Sequence, residues 1–124
     1  MSTDTYLGNK NLKSTDVPIE FTKETVQEYL KCSQKPDYFL LNYVQIVSVD
    51  EGLIPFKTWK FQKIMVNSFN DNRFVICKLP RQVGKTTTVA AFILWKILFT
   101  EQYSVAILAN KMAQAREILG RIQL

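Results

Sequence analysis

The residue types able to do chemistry are concentrated in one stretch, Leu79-Pro-Arg-Gln-Val-Gly-Lys-Thr-Thr87. Residue by residue, it suits a polyphosphate. Gly84 lets the main chain approach phosphate without a Cβ in the way. The backbone N–H groups of Gln82, Val83, Gly84 and Thr87 join those of a following helix N-terminus, whose dipole adds partial positive charge. Lys85 supplies a point charge for the β and γ phosphates, and Thr86 supplies a hydroxyl for the Mg²⁺ that bridges them. Arg81, four residues before Lys85, either reaches the γ phosphate or pairs with a carboxylate or faces solvent. The stretch departs from G-x-x-x-x-G-K-[ST] at its first position, which is Leu79.

Such a loop works only between a strand and a helix. Phe74-Val-Ile-Cys77 is a short β-prone run before it, and an apolar helix from about Lys85 to Phe99 follows. Val105-Ala-Ile-Leu-Ala109 is a second β-prone run, and Lys111 to Leu124 predicts a last helix. Strand, loop, helix, strand makes a βαβ crossover, which calls for a parallel sheet. The expected fold class is therefore α/β: a partial P-loop NTPase preceded by a short, mostly helical segment.

Upstream, Phe21–Cys32 has amphipathic spacing, and Pro36 ends that helix because it disfavours helical geometry at Lys35. The block Tyr38–Val44 reads as a helix running into an extended piece at Gln45–Val49. Asp50-Glu-Gly52 and Ile54-Pro55 mark a loop, after which Thr58 is placed to cap a helix through about Asn70. Three regions follow: a flexible lead over 1–18, a helical and extended segment over 19–57, and an incomplete P-loop domain over 58–124.

Of the 124 residues, 47% are apolar and 22% charged, as in a globular domain. The longest apolar run, Val89–Phe99, is about half a membrane span and contains Lys96. No membrane contact is expected. Cys32 and Cys77 are too few for a disulfide framework, and with no secretion signal at Met1–Asp4 they read as reduced thiols in a cytosolic setting. The absence of histidine rules out Ser-His-Asp and Cys-His catalysis. Residues 1–51 hold five lysines and eight acids, net −3, whereas residues 52–124 hold seven lysines and four arginines against three acids, net +8. The basic part predicts an anionic partner.

Pro80–Thr87 resembles the deviant Walker A loop of the large terminase subunit of tailed bacteriophages, an ATP-driven DNA-packaging motor. Tyr43-Val44, Val47–Gly52, Ile54–Lys57 and Phe61-Gln62 resemble the lead into the motor domain in contractile-tailed phages, and Val105–Lys111 resembles the strand and turn after the Walker A helix. The resemblance spans about Tyr38–Leu124. It implies that Lys85 and Thr86 hold phosphate and Mg²⁺, that Arg81 acts in cis on the γ phosphate, and that Gln62 contacts adenine with Phe61 or Trp59 near the base. Without it, Gln62 reads as an exposed helical residue and the two aromatics as core. It further implies double-stranded DNA, a portal protein, a small terminase subunit and the remainder of a large terminase chain as partners, at the procapsid portal in the bacterial host cytoplasm.

A large terminase also needs an apolar strand ending in paired acids, a coupling segment and a nuclease domain. After Lys85 the only acids are Glu101 and Glu117, neither following an apolar run. This chain alone is therefore expected to bind nucleotide without hydrolysing it, as an N-terminal part of a larger motor. The other reading is a non-catalytic module that contacts nucleic acid or a partner through its basic half, with a vestigial loop.

Overall fold

The computed structural model describes residues 6–8, 12–15, 17–48 and 50–123. Half of the lead over 1–18, together with Val49 and Leu124, lies outside the described residues. After a single 3₁₀ turn at Tyr6–Gly8, the elements are α1 (Lys23–Gln34), α2 (Pro36–Tyr43), β1 (Gln45–Ser48), β2 (Gly52–Pro55), α3 (Lys60–Asp71), α4 (Lys85–Phe99) and α5 (Met112–Gln123).

Local chemistry accounts for most of these boundaries. The Thr22 hydroxyl accepts the Thr25 N–H at 3.2 Å and starts α1. Pro36 occupies the first position of α2, where its missing N–H costs nothing. The cap of α3 differs from expectation. Trp59 occupies the N-cap, and its N–H donates to Gln62 Oε1 at 2.8 Å. The hydroxyl of Thr58 is buried with no hydrogen-bond partner among the described residues.

The expected parallel sheet is not formed. The described strands, β1 and β2, pair antiparallel as a hairpin, Gln45 opposite Pro55 and Ser48 opposite Gly52. Thus Gly52–Pro55, read from sequence as loop, is a strand, and neither Phe74–Cys77 nor Val105–Ala109 is one. Ile76 is 99% exposed and Leu108 91%. The physical reason is the lack of a ladder partner. Pairing β1 with β2 closes a short turn, whereas pairing the two later runs requires a long crossover for only two strands, a marginal unit on its own.

The side of α4 that a sheet would cover packs against helices instead. Ala91 and Trp95 of α4 join Cys32 of α1, Phe39 and Leu40 of α2, Val66 of α3, and Val44 and Phe56 at the root of the hairpin in one core. Trp95 Nε1 donates to the Cys32 carbonyl at 2.8 Å, satisfying one of the last carbonyls of α1, which have no acceptor role within their own helix. Phe99 closes the far end, edge-on to Phe39 at 5.3 Å. The all-round apolar character of α4 is only partly used, since Ile97 and Leu98 stay about half exposed. No described helix is long and apolar enough to cross a membrane.

Candidate functional site

The loop that holds the candidate residues opens α4. Arg81–Gly84 form turns and bends, and Lys85 is the first helical residue. Gly84 is the N-cap with φ +72° and ψ 21°, the left-handed region that an L side chain enters at a cost. Gln82 also lies at positive φ, +61°. Gly84 turns the chain so that its carbonyl accepts the Thr88 N–H at 3.0 Å and the Thr88 hydroxyl at 2.9 Å. Thr88 is fully buried, which anchors the first turn. By helical geometry the N–H groups of Lys85, Thr86 and Thr87 have no acceptor within the helix and are left for an external one.

Gln62 reaches this loop from α3. Its side chain is buried, with Oε1 held by the Trp59 N–H and Nε2 donating to the Val83 carbonyl at 3.5 Å. The same Nε2 lies 3.0 Å from where a Cβ on Gly84 would stand. Both ends of the carboxamide are thus engaged inside the protein. Trp59 is 61% exposed, with its ring 5.7 Å from that of the half-buried Phe61, so these aromatics lie at the surface beside the α3 N-terminus rather than in the core.

Arg81 and Thr86 are exposed and Lys85 is half-buried. Among the described residues none of the three makes a side-chain hydrogen bond or ion pair, so Arg81 has no carboxylate partner there. The first turn of α4 holds no acid, leaving the dipole uncompensated. No group of three or more acidic or cysteine side chains comes together among the described residues.

One contact escaped sequence reasoning. Arg121 of α5 crosses to α4: its Nη1 donates to the Thr87 hydroxyl at 3.1 Å, while Nη2 bridges to Glu117 at 2.7 Å. Thr87 is thereby tied to α5 and lines a cleft of about 520 Å³ shared with Ile46, Ala91 and Ile122. An i, i+4 pair such as Glu117 and Arg121 ordinarily faces solvent, so nothing in the sequence links it to Thr87.

The site therefore belongs to a class in which a glycine-capped Gly-Lys-Thr loop opens an apolar helix and is braced from a neighbouring helix. Residues 76–122, which take in this loop, α4 and nearly all of α5, match the family described as "Terminase large subunit, T4likevirus-type, N-terminal". The match supports the resemblance to a large terminase subunit over that stretch. Gln62, Trp59 and the rest of Tyr38–Val75 lie outside it.

Proposed function

We propose that this chain is the ATP-binding N-terminal part of a large terminase subunit. The family match implies a role in DNA packaging. The observation that carries nucleotide binding is Gly84 at φ +72°, immediately before Lys85 and Thr86 at the N-terminus of α4. A Cβ there would also meet Gln62 Nε2 at 3.0 Å, so both the backbone and its packing require glycine at this point.

The donor set fits a triphosphate. The first-turn N–H groups of α4 face an anion along the dipole, and Lys85 adds a mobile ammonium. Bound Mg²⁺ would neutralise charge between the β and γ phosphates. Thr86 would supply the hydroxyl that holds it. Arg81, free of any described carboxylate, is available to neutralise charge on the γ phosphate. Gln62 holds the Val83 carbonyl and so orients the loop, and Trp59 offers an exposed ring to a base. Hydrolysis needs an acid that orients water, which would come from elsewhere in the assembled motor. The partners of this reading are double-stranded DNA, a portal protein, a small terminase subunit and further large-terminase chain, in the bacterial host cytoplasm.

The test is a titration of the full chain with Mg²⁺ and ATP. Lys85→Ala should weaken binding by about tenfold or more, since a charge-assisted contact is lost. An unchanged affinity would sink the assignment. ATP-independent DNA binding with a steep salt dependence would instead favour the module with a vestigial loop.

A further inference from the structure

A groove of about 600 Å³ lies between α1, α2 and the C-terminal end of α4, far in sequence from the phosphate loop. Its walls are aromatic: Tyr29 and Phe99 have ring centroids 5.2 Å apart, Phe39 and Phe99 5.3 Å, and Phe39 and Tyr43 5.9 Å. Its polar lining includes two carboxylates one helical turn apart, Glu24 and Glu28, and no cation. Lys31, on the same helix, sits over the Tyr38 ring at 4.0 Å instead.

The Glu28 carboxylate is held in place. Its Oε1 accepts the hydroxyls of Tyr38 at 2.7 Å and Tyr43 at 2.8 Å. Among the described residues its Oε2 accepts nothing, and neither does the Glu24 carboxylate. Like charges at this spacing disfavour one another, and although Lys31 lends Glu28 a minor favourable charge, neither carboxylate has an ion pair among the described residues.

We propose that this groove is a docking site for an arginine side chain presented by a basic segment of a partner protein. A guanidinium is flat enough to stack on Tyr29 and Phe99, and its fork of donors matches a fixed carboxylate. A lysine offers a point charge without the stacking plane. Nucleic acid is repelled by the two carboxylates, and a purely apolar ligand would leave them without a partner. The net −3 of residues 1–51 extends the same complementarity beyond the groove. This assignment is independent of the nucleotide reading.

The full chain, carrying Trp59→Phe so that Trp95 is the one indole, would be titrated with three short glycine-spaced peptides carrying arginine, lysine or glutamine and followed by the fluorescence of Trp95, whose indole lies 6.1 Å from the Phe99 ring. The arginine peptide should bind about tenfold more tightly than the glutamine peptide. Glu24→Gln and Tyr29→Leu, both at exposed positions that leave the core intact, should each remove most of that advantage. Thermal unfolding of the two variants checks that they remain folded. The proposal is overturned if the lysine or glutamine peptide matches the arginine peptide, or if both variants bind as the parent does. Competition by a DNA duplex for the groove, or self-association that Glu24→Gln abolishes, would equally overturn it.

Discussion

The carboxamide nitrogen of Gln62 stands 3.0 Å from the position a Cβ on Gly84 would occupy. Two residues 22 positions apart are thereby keyed to each other, because α3 delivers the side chain and the loop before α4 leaves the space. Gly84→Ala meets both this contact and a left-handed backbone. It should cost about 1–3 kcal/mol in urea denaturation. In a Gln62→Ala background the contact is gone, so part of the penalty should disappear. Strict additivity in that double-mutant cycle would show that the two residues do not meet.

Trp95 joins the core to the end of α1 through one hydrogen bond to the Cys32 carbonyl. Trp95→Phe keeps a ring but leaves that buried carbonyl without its donor, for an expected loss of about 1–3 kcal/mol. Trp95→Ala adds a cavity and should cost about 3–5 kcal/mol. Equal losses for the two variants would remove the hydrogen bond from the account.

Glu28, Tyr38 and Tyr43 give the helical pair α1–α2 a pH window. The hydroxyls of Tyr38 and Tyr43 hold the Glu28 carboxyl below its ordinary 4.5, and hydrogen bonding to that carboxylate pushes Tyr43 up to about 12 from 10. A lowered acid stabilises the fold above its unfolded pKa, and the gain fades as pH falls through 4.5 and below. A raised tyrosine stabilises below pH 10, and the gain fades as pH rises toward about 12. The contribution of this bridge should therefore be level between these limits and decline outside both. In Glu28→Gln, tyrosinate absorbance should show Tyr43 titrating closer to 10, and an unaltered alkaline profile would contradict the bridge.

Arg121 holds α5, none of whose described residues is buried. Arg121→Ala should change global stability by only about 0.5 kcal/mol, because the bridge to Glu117 is 43% and 62% exposed at its two side chains. Local opening is the better readout. Amide exchange in α5 should quicken while that in α4 stays as it was; equal protection in both proteins would place α5 on other supports.

Ile76→Lys and Leu108→Lys separate this fold from the parallel sheet expected of the sequence. Both side chains are in solvent, so each change should fall within about 0.5 kcal/mol. Were these segments paired core strands, each lysine would bury an unpaired charge and cost several kcal/mol.

The helices were largely legible. The apolar run Lys85–Phe99 was read with the ends it has, and α1 and α5 differ by a residue or two. Caps and prolines act on their immediate neighbours, so Pro36 marked the break after α1 and Gly84 the loop before α4, whereas the Thr22 cap went unread. Thr58 misled because a threonine before a helix resembles a cap, yet the Trp59 N–H finds Gln62 one turn later. The strands were not legible in the same way. Gly52–Pro55 became a strand because Gln45–Ser48 lay opposite it, and Phe74–Cys77 did not because nothing did.

The candidate site divides along the same line. Arg81, Gly84, Lys85 and Thr86 fall within six consecutive residues, so their grouping at the start of α4 was legible from order alone. The split between an acidic first part and a basic remainder is likewise a property of order and composition. What only the tertiary structure decided is which distant groups brace that loop and which side of α4 is buried. Gln62 meets Val83 across 21 residues, Arg121 meets Thr87 across 34, and Trp95 meets Cys32 across 63. A hydrogen bond of this kind exists only after the chain has packed. Its donors and acceptors carry no mark of one another in the sequence, whereas a helix and its caps are settled within a few consecutive residues.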